Sequence, residues 1–150
     1  LALQAIARAV QVARQVRDAD PDDATASHIW LIALEPQAQM FADAGRREAA
    51  FAAMATMDRE YRRLIEVAGD VAGMRRSYSA ALNTMAGNYY NLRTYDRACA
   101  TWRNAKSQLD WVAAHGSVTG TDRDALKNIG LYLTSNCENG PPRAGMGEGV

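Results

Sequence analysis

Lysine is nearly missing from this 150-residue chain: of seventeen basic residues, only Lys106 and Lys127 are not arginine. Seventeen acids balance them, so no net field draws the chain to nucleic acid or to an anionic membrane. No apolar run approaches the roughly 18 residues needed to span a bilayer, so no direct membrane insertion is expected. Histidine is limited to His28 and His115. Neither has a Cys, His or Asp at metal-ligand spacing on one helix face, so both read as surface or loop residues and no metal or cofactor site is expected. A nucleophilic triad would have to bring Cys99 or a serine beside one of those two histidines. No catalytic constellation is visible, and the chain is not read as an enzyme. Sustained apolar–polar alternation of the strand kind is also missing, which leaves an all-α reading.

Cysteine is scarce as well. Cys99 and Cys137 are either unrelated thiols, one packed inside a helix, or a disulfide that pins the last helix and implies an oxidising compartment.

What is present is helix-forming residues between sparse glycine and proline marks, at Pro21, Gly45, Gly69, Gly73, Gly116 and Gly120. Six helices are expected, over 1–18, 26–44, 46–68, 74–92, 94–114 and 122–136. Ser27 suits a cap for the second and Thr94 for the fifth, and Thr121 with Asp124 has the capping-box spacing for the sixth. Pro36 falls inside the second helix and is expected to kink it. A helical domain over 1–138 is followed by a Gly- and Pro-rich tail, 139–150, expected to be disordered. The chain opens at Leu1 inside a helical pattern and is expected to be a fragment or processed product of a longer protein.

The helices repeat. The fifth carries apolar residues at Ala98, Trp102, Ala105, Leu109 and Val112. Forty-eight residues earlier stand Ala50, Met54, Met57, Tyr61 and Leu64, and forty-eight before those Ala2, Ile6, Ala9, Ala13 and Val16. All fifteen are apolar or aromatic at the 4-3-4-3 spacing of one helix face. Leu34 pairs with Leu82, Ala38 with Ala86, and Phe41 with Tyr89. Small residues let paired helices approach while large ones fill the spaces, and each pair leaves an apolar face that only a neighbour can cover. The first helix lacks an upstream partner here, so a missing segment or a homodimer contact is expected over it.

The series Leu82, Ala86, Tyr89, Tyr95, Ala98, Trp102, Ala105 resembles the signature of the tetratricopeptide repeat family. Leu34, Ala38, Phe41, Ala50, Met54 and Met57 match it one copy earlier. The period of 48 is longer than that family's 34, and Arg47 stands where an aromatic is usual. The resemblance implies tandem antiparallel helix hairpins stacked as a short right-handed superhelix that binds a peptide or partner helix in its concave groove. Long-period arrays of this kind also resemble parts of bacterial signalling proteins, kinases or transcription regulators. That places the chain in a cytoplasmic or periplasmic portion of a larger protein, where it would serve as an oligomerisation or spacer domain.

Three stretches invite chemistry and decline it. DADPDDATAS faintly resembles a calcium loop, but Asp23 stands in place of the turn glycine and Ile29 in place of the bidentate glutamate, so it reads as an acidic linker. GSVTGTDRDAL lacks the Gly-Lys-Ser/Thr ending of a phosphate loop. The pairs Arg46–Arg47, Arg62–Arg63 and Arg75–Arg76 sit among acids and read as solvated helix faces rather than a basic stripe. The polar side of the fourth helix stands apart: Asn83, Gly87, Tyr90 and Asn91 lie off the core stripe, with Glu35, Gln39, Ala42 and Asp43 equivalent one repeat earlier. Amide side chains there can clamp a ligand backbone, and tyrosine supplies flat contact area at small entropic cost. Glu35, Gln39, Asn83, Tyr90 and Asn91 are the expected partner contacts; the plainer alternative is that they are exposed polar residues.

Overall fold

Alanine-rich stretches, three of them opened by an acidic or hydroxyl cap, fold into six helices in the computed structural model, which describes residues 2–116 and 118–139. They are α1 (Ala2–Ala19), α2 (Ala24–Asp43), α3 (Arg47–Val67), α4 (Val71–Asn91), α5 (Tyr95–Ala114) and α6 (Gly120–Leu133). A π-helical turn, Thr134–Glu138, continues α6. The chain is all-α among the described residues; of the tail 139–150 expected to be disordered, all but Asn139 lies outside them, as does Leu1.

The caps correct the sequence reading at two helices. Asp23, not Ser27, caps α2, accepting from the backbone N–H groups of Thr25 and Ala26 at 2.8 and 3.3 Å. Ser27 is instead fully buried, and its hydroxyl accepts from Arg63 of α3 at 2.8 Å. The capping box of α6 is Thr119 with Asp122, the same spacing two residues before Thr121 and Asp124. Asp122 is held there because Arg76 of α4 donates to both its oxygens at 3.0 Å. Thr94 does precede α5, yet its hydroxyl accepts from Arg47 rather than from its own helix. The helix α2 continues through Pro36, which lies on its exposed side.

The helices form a stack of hairpins: α2 packs on α3, α4 on α5, and α2 and α3 on α4, while α1 and α6 pack on the outer helices α2 and α5. The 48-residue period is written into the backbone. Gly45 and Arg93 both take a left-handed conformation, at φ 68° and 57°. Around them the same bonds recur: Arg46 N–H to Phe41 C=O and Thr94 N–H to Tyr89 C=O, both 2.8 Å. Arg47, in the place of an aromatic, links the two turns by donating to Leu92 C=O and Thr94 Oγ1, each at 2.8 Å.

All ten stripe residues of α3 and α5 are buried. The third copy departs from that register. In α1 only Ala13 is buried, and the side that meets α2 runs Leu3, Ile6, Val10, Ala13, Arg17. Ala2, Ala9 and Val16 face out, because no described helix stands on the side of α1 that α2 occupies on α3. Val12, Val16, Ile29 and Ile32 are each at least half exposed, at 50–58%.

Buried charge ties the N-terminal hairpin to the stack. Glu60 of α3 accepts from Arg17 of α1 at 3.0 and 3.1 Å and from Arg63 at 2.7 and 3.2 Å. Burial alone would raise its pKa; the bonds from Arg63 and Arg17 outweigh that and hold it at about 2.

Candidate functional site

The expected residues of α4 do come together. Asn83, Gly87, Tyr90 and Asn91, at i, i+4, i+7 and i+8 on one helix face, form one wall of a cleft of about 290 Å³ between α4 and the C-terminal segment. Trp102 of α5, Tyr132 of α6 and Asn136 of the π-helical turn complete it. A second cleft of about 440 Å³ continues along the same gap, sharing Asn83 and ending at Asp122. Helices α4 and α6 make little direct contact, so the gap stays open.

Aromatic rings hold the gap apart. Trp102 stacks on Tyr132 with centroids 5.3 Å apart, and Tyr90 leans on Trp102 at 6.0 Å and on Tyr95 at 5.1 Å. Asn83 is part of this frame, since its Oδ1 accepts the Trp102 indole N–H at 3.0 Å. Its amide NH₂ has no protein acceptor among the described residues. No charged side chain lines the smaller cleft among the described residues. Gly87 sits in the interior of α4, and a Cβ built there meets nothing within 4 Å. A mid-helix glycine costs about 0.5–1 kcal/mol relative to alanine, so its presence without a packing reason leaves room above the helix as what it supplies.

The C-terminal wall depends on a disulfide. Cys99 of α5 is bonded to Cys137, with the Cα atoms 5.8 Å apart, which settles the open reading of the two cysteines. The π-helical turn widens the helix where it carries Cys137 onto α5 and Asn136 to the cleft.

Glu35 and Gln39 are not brought to this cleft. Both are half-buried on α2, and Gln39 donates to Asp43 at 2.7 Å within its own helix. Their helix packs directly on α4, and at the position of Tyr90 the first copy has Ala42, which is buried. Sequence reasoning missed Trp102 as a site residue because it belongs to the core stripe. It missed Tyr132 because only tertiary packing sets α6 against Trp102, and Asn136 because its placement requires the π-helical turn. The one legible signal was a second Tyr–Asn pair four residues apart on the last helix.

The arginine pairs are solvated faces only in part: Arg46, Arg47 and Arg62 are exposed, yet at least one member of each pair reaches a fixed partner. Arg47 bridges turns, Arg63 bonds Glu60, Arg75 donates to Gln108 at 2.6 Å and lies over Trp111, and Arg76 holds Asp122. Burial works against ionisation of Asp122; the Thr119 N–H and Arg76 more than offset it, and its pKa is lowered. Of the histidines, His28 is half-buried within α2 rather than in a loop, and exposed His115 stacks on Trp111 at the end of α5. No group of three His, Cys, Asp or Glu is disposed to hold a metal among the described residues, and Asp23 is used as a cap. No helix is long and apolar enough to cross a membrane among them. Neither a protein-family model, nor a curated protein, nor a solved structure matches this chain.

Proposed function

We propose that the chain is a noncatalytic interaction module, a tetratricopeptide-like array of long period, that holds an uncharged peptide segment or partner helix in the α4–α6 cleft. The observation that carries this reading is Gly87: a helix-interior glycine with empty space above it, flanked by Asn83, Tyr90 and Asn91 on one face. Primary amides pair with the N–H and C=O of a peptide backbone, and the aromatic wall supplies apolar area without charge. Glu35 and Gln39 would extend that surface one repeat away, on α2. The Cys99–Cys137 bond favours a periplasmic over a cytoplasmic setting. A second reading, an oligomerisation or spacer domain of a larger bacterial signalling protein, rests on the exposed Val12, Val16, Ile29 and Ile32.

Gly87→Ala tests the first reading, because it separates binding from folding. The variant should melt higher, by the equivalent of about 0.5–1 kcal/mol, yet lose binding to peptides selected on the wild type from a displayed random library. Asn83→Ala is the poorer probe, since it also frees the Trp102 indole. Selected peptides that bind Gly87→Ala as tightly as wild type would sink the cleft as the binding surface. Failure to select any peptide, with mass rising with protein concentration, would favour assembly.

A further inference from the structure

The repeat makes two grooves on the opposite side of the stack, one between α1 and α3 and one between α3 and α5, of about 570 and 510 Å³. They are images of each other under the 48-residue shift. Leu34, Phe41 and Ala52 line the first where Leu82, Tyr89 and Ala100 line the second, and Arg14 answers to Arg62. They differ in charge at one of these shared positions, where Val10 in the first groove is Asp58 in the second, while Gln37, Ala53 and Thr56 answer to Met85, Thr101 and Asn104.

In the second groove the polar groups satisfy one another. Asp58 accepts from Arg62 at 2.9 Å and from the Tyr78 hydroxyl, which in turn accepts from Asn104 at 3.3 Å. In the first groove the carboxylate is missing and its donors remain. Trp30, equivalent to Tyr78, is nine-tenths buried and its indole N–H has no acceptor among the described residues. Arg14 reaches only Asp18, at 3.5 Å in a solvent-exposed contact along its own helix. Arg59 lines the groove, donates to Thr56 at 3.3 Å and has no carboxylate partner among the described residues. No acidic residue lines this groove among the described residues. It therefore presents two guanidinium groups above an apolar floor of Leu34, Phe41 and alanines, with the orphaned Trp30 N–H buried in its wall. A buried donor without an acceptor is costly, and a charge-assisted bond to it is correspondingly favourable.

We propose that the α1–α3 groove is a binding site for a small organic acid, a single carboxylate on an apolar body, whose carboxylate takes the place that Asp58 fills one repeat later. The body lies over Leu34 and Phe41, and the volume suits a ligand of modest size. The site is independent of the α4–α6 cleft, with which it shares no lining residue.

Octanoate is the probe, with 1-octanol as the neutral control, titrated into the full chain by calorimetry and followed at the Trp30 indole N–H resonance. Octanoate should bind saturably and shift that resonance, and octanol should bind at least about tenfold more weakly, the scale of one charge-assisted bond. Val10→Asp supplies the carboxylate internally, so it should fold and abolish octanoate binding. Arg59→Gln, at an exposed position, should weaken it about tenfold with the fold unaffected. Equal binding of octanol would overturn the proposal, as would no saturable binding of octanoate to wild type, or wild-type affinity in both variants. Binding of a short peptide through its free C-terminus, lost on amidation, with no binding of octanoate, would overturn the small acid in favour of a polypeptide end.

Discussion

The hairpins α2–α3 and α4–α5 share a turn, a core stripe and a period, yet their neighbours sit differently. Helix α4 closes on α2, where the facing position is Ala42, while α6 stands off α4, where it is Tyr90. The same substitution of bulk and polarity at equivalent positions separates the two grooves, with Val10 in one and Asp58 in the other. The copies agree where side chains hold the array together and differ where the array leaves space. In a repeat protein each unit contacts only its neighbours, so a change at one gap leaves the register of the others intact.

If the two copies are equivalent in the core, Leu34→Ala and Leu82→Ala should cost the same. Both residues are buried, at 4% and 2% exposure. Each loss should fall in the range of about 2–5 kcal/mol by denaturant unfolding, the largest effect expected here. A markedly cheaper Leu34→Ala would show that the first hairpin relaxes more freely and break the equivalence.

A smaller effect should appear in acid at Glu60 of α3, whose equivalent in α5 is the uncharged Gln108. The folded pKa of Glu60 is depressed to about 2, so its contribution is present above the unfolded value and lost as pH falls toward the folded one. Between about pH 4.5 and 2 the chain should lose on the order of 1–3 kcal/mol through this group. Glu60→Gln should be less stable than wild type at pH 7 and show a shallower loss across that window. Identical acid limbs for the two proteins would remove Glu60 as the tie between α1 and α3.

The smallest effect sharpens the turn comparison. Gly45 and Arg93 hold the same left-handed backbone, which is free for glycine and costs other residues about 1–2 kcal/mol. After the entropy that glycine returns to the unfolded chain, Arg93→Gly should stabilise by at most about 1 kcal/mol and Gly45→Ala should destabilise by a similar amount. Thermal melts of the two variants should therefore move in opposite directions.

Much of this was legible before any coordinates. The stripe Ala50, Met54, Met57, Tyr61, Leu64 and its image in α5 are buried because apolar spacing at 3.6 residues per turn leaves a helix one face to hide. The wall Asn83, Gly87, Tyr90, Asn91 followed from the same geometry, being the polar residues beside that stripe. The third copy misled because periodicity marks which residues can be buried, whereas Ala9 and Val16 are buried only if a helix stands over them. The caps slipped at Ser27 and Thr121 because several acids and hydroxyls were in reach, and Arg63 and Arg76, distant in sequence, took Ser27 and Asp122.

Helix content, period and core face were thus set by local spacing and propensity, which act within a few residues. The Cys99–Cys137 bond, the links of Arg47, Arg63, Arg75 and Arg76 to other helices, and the contrast between a filled and an unfilled groove were decided by tertiary structure alone. Each depends on groups some 20 to 50 residues apart meeting in space, and the stacking of one hairpin on the next is what brings them there.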